Sequence, residues 1–293
     1  MNFKEKLHEY QIYVNDILSK YIDNSDSPEK LLNDSMRYSL MAGGKRIRPI
    51  LMLATYKLFK DDIESCIPYF VAMEMVHNFS LIHDDLPAID NDDFRHGILT
   101  NHKKFGESTA ILAGDSLLNY AYIVMSEDIL NDCKKEKVKV LNEFSNEVYH
   151  MIIGEFVDIE CERKDISPEL LRYMHKNKTG ALIKESVRIG AILGEASNDE
   201  LELLTKYSEN IGLAFQIKDD ILSEIGDEKI MGKPVHNDKE AGKSTFVTKY
   251  GLDKSIEMLN SVIGEAIKTI NVKFGEKAEF LVELANYIKD REK

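Results

Sequence analysis

Apolar residues recur every three or four positions along almost the whole of this 293-residue chain, and the strict alternation of a half-buried strand is nearly absent. A period near 3.6 gathers the apolar residues of each stretch on one helical face, which another helix must cover. So uniform a pattern excludes α/β folds and sets the fold class as all-α. Helical stretches are expected near 66–86, 108–130, 136–162, 199–224, 253–270 and 276–290. Ser27-Pro28-Glu29 reads as an N-cap with Pro in the first turn, opening a helix that ends near Gly43-Gly44. Ser167-Pro168-Glu169 repeats that signal for a helix running toward Gly194. With no linker or low-complexity segment, residues 1–293 read as a single domain of about ten helices.

The first seventeen residues mix charges with apolar residues at helical spacing, which reads as an amphipathic helix and not a signal peptide. No apolar run reaches the roughly 20 residues that span a bilayer. The net charge is 38 − 51 = −13. Such a surface repels nucleic acid and anionic lipid, so an anionic ligand needs a local basic cluster. The three cysteines, Cys66, Cys133 and Cys161, contain no CxxC pair and are odd in number. That argues against a disulfide framework or zinc site and for a reducing cytoplasmic setting.

The densest chemistry lies in His77-Asn78-Phe79-Ser80-Leu81-Ile82-His83-Asp84-Asp85-Leu86-Pro87-Ala88-Ile89-Asp90-Asn91-Asp92-Asp93. Positions 77, 81, 84 and 85 share one helical face, and Pro87 marks the helix end. Carboxylates so close repel one another, and a hard divalent cation such as Mg²⁺ removes the repulsion. Taken alone, the cluster reads first as a solvated acidic turn; its spacing does not fit a Ca²⁺ EF-hand. A second acidic pair changes the balance. In Phe215-Gln216-Ile217-Lys218-Asp219-Asp220-Ile221-Leu222-Ser223, polar residues interrupt an otherwise apolar helix, where Asp and Gln seldom sit without a partner. Two such pairs point to carboxylates facing one another around a metal–phosphate cluster.

The basic complement begins with Gly43-Gly44-Lys45-Arg46-Ile47-Arg48-Pro49, three cations behind a glycine helix stop, without Walker A spacing. Lys178-Thr179-Gly180 and Gly232-Lys233-Pro234 add cations near turns. Each reads alone as ordinary surface.

Together these segments resemble the trans-isoprenyl diphosphate synthases, and most closely the bacterial farnesyl diphosphate synthases (geranyltranstransferases). The resemblance runs from about Leu31 to Tyr250 through GGKRIRP, HNFSLIHDDLPAID, KFGESTAILAGD, HKNKTGALI, IGLAFQIKDDIL and GKPVHNDKEAGKST, in that order. It implies a large helical bundle around a central cavity, Mg²⁺ as cofactor, small diphosphates as substrates and a cytoplasmic homodimer. It further implies that Asp84, Asp85 and Asp90 hold Mg²⁺ on an allylic diphosphate and that Asp219 and Asp220 do so from a second helix. Arg95, Lys178 and Lys233 would grip the allylic diphosphate. Lys45, Arg48 and His77 would bind isopentenyl diphosphate, and Lys178, Thr179 and Gln216 would serve catalysis, the last two flanking the developing carbocation. Phe79 would floor the product cavity, with Ser80 leaving room above it for a ten-carbon intermediate, so a fifteen-carbon product is expected.

Three positions depart from that pattern. His96 stands where the family has a second Arg of the isopentenyl site, which would make that site weaker or pH-dependent. Ser223 stands in place of the last Asp of the second acidic motif. Gly154-Glu155 replaces a Gly-Gln pair and adds a negative charge beside a phosphate cavity. These departures motivate a second reading, a non-catalytic subunit of a heteromeric prenyl synthase. A class I terpene cyclase shares the metal-triggered ionisation, but the match at Lys45, Arg48 and His77 argues against it.

Overall fold

The computed structural model describes residues 2–23, 25–225 and 242–292. Its contacts divide the chain into two compact units, one of residues 1–53 and 62–141, the other of 54–61 and 142–293.

The first unit is organised around α4 (Ile67–Asp84). Its neighbours are α1 (Phe3–Leu18), α2 (Lys30–Leu40) and α6 (Glu107–Asp132). The stretch 69–76 of α4 is buried without a break, so this helix has no solvent face over two turns and forms the centre of the unit. Asn2 and Glu5 close a capping box at the start of α1, where the amphipathic helix was expected. α2 begins later than its sequence signal. Lys30 N donates to Ser27 O, so Pro28 and Glu29 form a turn, and Ser27 Oγ, buried and unpartnered, caps nothing. The helix also stops at Leu40, short of Gly43. A further helix, α3 (Ile47–Tyr56), starts inside the GGKRIRP segment. Its run ILMLATY is too uniformly apolar to show a helical period, and Pro49 is tolerated because first-turn amides need no intrahelical partner. The only strands among the described residues are the two-residue β1 (Phe94–Arg95) and β2 (Ile98–Leu99), paired Phe94 to Leu99 and Arg95 to Ile98; α5 (Asn101–Phe105) follows them.

The second unit is built on α10 (Asn198–Ile225). Around it pack α9 (Ala181–Leu193), α11 (Phe246–Tyr250), α12 (Leu252–Phe274) and α13 (Glu279–Asp290). The unit also takes most of α7 (Lys135–Cys161). The helix expected from Ser167 toward Gly194 is interrupted. α8 (Pro168–His175) starts with Ser167 accepting from Leu170 N, and a wide π-type turn over Lys176–Gly180 separates it from α9. Such turns insert a residue into the helical ladder and recur at functional sites. No described helix is long and apolar enough to cross a membrane.

Candidate active site

The acidic cluster of the first unit is assembled by the end of α4 and the loop after it. Asp84 ends the helix, and Asp85 is its C-cap. The chain then folds back, with Asp90 N donating to Asp84 O at 2.8 Å and Asn91 N to Leu86 O at 3.1 Å. Asn91 takes a left-handed φ of 53°, a conformation Asn tolerates. A two-residue hairpin follows. His96 and Gly97, at φ 52° and 79°, occupy its corner, the left-handed pair that a type I′ turn requires.

That hairpin delivers Arg95 to Asp85. Arg95 Nε donates to both carboxylate oxygens, at 2.8 and 3.0 Å, and Nη2 donates to Oδ1 at 2.6 Å. Asp85 is 3% exposed. Burial raises its pKa, Arg95 pulls it down, Asp92 and Asp90 push it up again, and the net shift is upward. Burial, helped by the neighbouring carboxylates, therefore outweighs the single guanidinium. Among the described residues no group of three or more His, Cys, Asp or Glu side chains is placed to hold a metal ion. The set is an open row of hard oxygen donors, the kind on which Mg²⁺ is shared between one or two carboxylates and phosphate oxygens, so the residues fit that ion.

The basic cluster approaches from the α2–α3 connection. Gly43 and Gly44 lie at φ 101° and 104°, which a side chain would resist, and a Cβ on Gly44 would stand 3.7 Å from His96 Nε2. Arg46 anchors the turn from below. It is 4% exposed and donates to Glu74 Oε1 at 2.5 Å, Asn15 Oδ1 at 2.9 Å and Leu40 O at 2.7 Å. Arg48 Nη1 lies 3.2 Å from His77 Nε2. Arginine can only donate, so Nε2 accepts and His77 is the neutral tautomer protonated at Nδ1. Burial first, then Arg48, Arg46, Arg95 and His96, hold its pKa well below the usual value. His96 is shifted the same way by local desolvation and by Arg95, Arg46 and Lys45. Within this unit Arg48 lies against His77, and Lys45 and His96 are close enough for their charges to be felt.

In the second unit the π-type turn presents Lys178 and Thr179. It can do so because two helices touch its backbone at glycines. A Cβ on Gly154 would fall 2.1 Å from Lys178 N, and one on Gly212 would fall 3.0 Å from Gly180 Cα. Lys178 Nζ lies 2.5 Å from Asp158 Oδ2 and 2.8 Å from Glu155 Oε2. Burial would raise the Asp158 pKa, but Lys178 outweighs it and the net shift is downward. Thr179 Oγ1 donates to Gln216 Oε1 at 2.8 Å, and Gln216 Nε2 donates to Asp220 Oδ1 at 2.8 Å. Asp220 Oδ2 accepts from Phe246 N at 2.7 Å. Asp219 Oδ1 accepts from Arg291 Nη2 at 2.6 Å, while the guanidinium sits 4.1 Å over the Phe215 ring. Lys233 lies outside the described residues. Ser223 is half-buried on α10, one turn beyond Asp219 and Asp220.

Sequence reasoning missed four members of these clusters. Glu74 carried a readable signal, a lone carboxylate in an apolar helix, and its partner Arg46 was passed over between Lys45 and Arg48. Asp158 had only its i,i+3 spacing from Glu155. Arg291 lies beyond the segments that carried motifs, and no local pattern marks it.

Comparison with known proteins brings relatives along almost the full chain. The sequence profile of the family described as Polyprenyl synthetase matches residues 29–283. A geranylgeranyl diphosphate synthase of Cyanophora paradoxa is 40% identical over 99% of this chain and 97% of its own length. A farnesyl diphosphate synthase of Geobacillus stearothermophilus is 40% identical over 88% of both chains. The crystal structure of an FPP/GFPP synthase from Zymomonas mobilis superposes with a TM-score of 0.87 at 31% identity, covering 98% of this chain and 99% of that one.

Proposed function

This chain belongs to the polyprenyl synthetase family, and on that premise we propose that it condenses isopentenyl diphosphate with dimethylallyl or geranyl diphosphate to give (2E,6E)-farnesyl diphosphate and diphosphate. One observation carries the reading. On α4 the neutral His77, backed by Arg48, stands eight residues before the Asp85–Arg95 pair, a rise of about 12 Å along a helix. Two distinct polar sites so spaced on one helix suit two diphosphate substrates.

In this reaction the allylic substrate loses diphosphate to form an allylic cation, the isopentenyl double bond attacks it, and the departed diphosphate takes the proton that is lost. Arg95 and Lys178, with Lys233, bind the allylic diphosphate and stabilise its growing charge. Lys45, Arg48, His77 and His96 hold isopentenyl diphosphate. Thr179 and Gln216, tied to each other by a hydrogen bond, flank the developing cation, and apolar walls keep water from quenching it. Mg²⁺ would be held by Asp84, Asp85 and Asp90 in the first unit and by Asp219 and Asp220 in the second, and would supply Lewis-acid stabilisation of the leaving group. No side chain acts as a nucleophile.

The fifteen-carbon product rests on Phe79, 7% exposed with its ring edge-on to His83 at 4.9 Å. Ser80 Oγ turns back to its own helix, donating to His77 O at 2.9 Å, and keeps its position small. A longer product is the second reading, favoured by the Cyanophora relative that is named a geranylgeranyl diphosphate synthase. A homodimer is supported by α7, where Tyr149, Ile152, Phe156 and Ile159 repeat along one face yet stay 40–63% exposed.

The test is turnover by the purified chain with Mg²⁺, isopentenyl diphosphate and dimethylallyl diphosphate, with products sized by chromatography. A fifteen-carbon product supports the proposal, and a twenty-carbon product selects the second reading. No turnover without another subunit would remove the catalytic role and favour the heteromeric one.

A further inference from the structure

We propose that Glu155 is a positioning residue that sets this chain's affinity for the allylic diphosphate by holding Lys178 in a carboxylate clamp that the diphosphate must open. The inference rests on the functional reading above. Glu155 and Asp158 lie three residues apart on α7, so both project from one face of that helix. Gly154 brings the backbone of the π-type turn against α7, since a Cβ there would overlap Lys178 N. The register of the two segments is thereby fixed with the Lys178 ammonium between the carboxylates, at 2.5 Å from Asp158 and 2.8 Å from Glu155. All three side chains are largely shielded, with 12–23% exposure, so solvent weakens these pairs less than it would on the surface.

The formal charge of Lys178 and its two carboxylates is +1 − 2 = −1, with Lys243 a further cation near Asp158. Phosphate oxygens approaching Lys178 therefore meet a cation already committed to two anions, and at least one carboxylate must yield. Asp158 is the closer partner, 2.5 Å against 2.8 Å for Glu155, so Glu155 is the one to be displaced. The displacement burdens the bound substrate and the transition state alike, so it raises KM and leaves kcat nearly alone. Removing the Glu155 charge should have the opposite effect.

Steady-state kinetics of Glu155→Gln, which keeps size and hydrogen-bonding capacity, tests this. The expected result is a KM for dimethylallyl or geranyl diphosphate lowered about three- to tenfold, with kcat within about twofold and the KM for isopentenyl diphosphate unmoved. Titration with inorganic diphosphate and Mg²⁺ in a calorimeter should show the same tightening. Glu155→Asp, which retains the charge, should keep the weaker wild-type binding. An unchanged allylic KM in a Glu155→Gln protein that turns over overturns the proposal alone. A fall in kcat overturns it too, because Glu155 would then support Lys178 rather than compete for it. Absence of turnover and of diphosphate binding in both proteins overturns the functional reading, and this inference with it.

Discussion

Arg95 holds Asp85 by a fork, with Nε 2.8 Å and Nη2 2.6 Å from the same carboxylate oxygen, at a site where Asp85 is almost fully buried. The pair joins the end of α4 to the β1–β2 hairpin, so the cation proposed to grip the allylic diphosphate stands directly on a proposed metal ligand. Asp85→Asn keeps the shape while removing the charge. It should lower kcat by at least about a hundredfold, near 3 kcal/mol of transition-state stabilisation. Asp84→Ala should act similarly with less effect on folding, because Asp84 is less buried. Near-wild-type rates at saturating Mg²⁺ in either variant would defeat the assignment.

His96 sits at the hairpin corner with cations around it, and its pKa is lowered by desolvation, Arg95, Arg46 and Lys45. Its charged form is thereby disfavoured. His96→Arg should lower the KM for isopentenyl diphosphate at pH 8, because a permanent cation replaces a mostly neutral imidazole. An unchanged KM at pH 8 would show that position 96 does not contact that substrate.

Phe79 carries the proposal on product length. Phe79→Ala should lengthen the products, and Ser80→Phe should stop the reaction at geranyl diphosphate. If Phe79 is core packing alone, its truncation costs about 3–5 kcal/mol of stability and leaves the product unchanged. Product chromatography on folded Phe79→Ala protein separates the two.

Glu185 offers a test independent of catalysis. It is fully buried on α9, neither carboxylate oxygen has a hydrogen-bond partner among the described residues, and burial, with Glu143 and Glu147 nearby, raises its pKa well above the usual value. The folded chain therefore binds this proton more tightly than the unfolded chain does. Its contribution favours folding below the unfolded pKa and is lost as pH rises toward the folded one. Glu185→Met should thus raise the melting temperature at pH 8, by about 1–3 kcal/mol of stability, and change it little near pH 4. An equal shift at both pH values would show that the charge is not responsible.

The sequence by itself determined the helices and the polar stations along them. Period located α4, α6, α7 and α10 to within a few residues, because that signal is local to each helix. The spacing of His77, Asp84 and Asp85 put them on one face before any packing was known. Where local signals conflicted with packing, the sequence misled. Ser27 looked like a cap and is not one, and the π-type turn at Lys176–Gly180 is invisible in a pattern that reads as one continuous helix. That turn exists because Gly154 and Gly212 admit its backbone, and only the packed unit shows it. The partner of each charge was likewise decided by tertiary structure. Arg46 with Glu74, Lys178 with Glu155 and Asp158, and Arg291 with Asp219 are separated by 20 to 72 positions, a range over which no helical period carries information. Burial and pairing then set the ionisation of His77, Asp85 and Glu185, since a group's pKa depends on the field and solvent around it rather than on its neighbours in the chain.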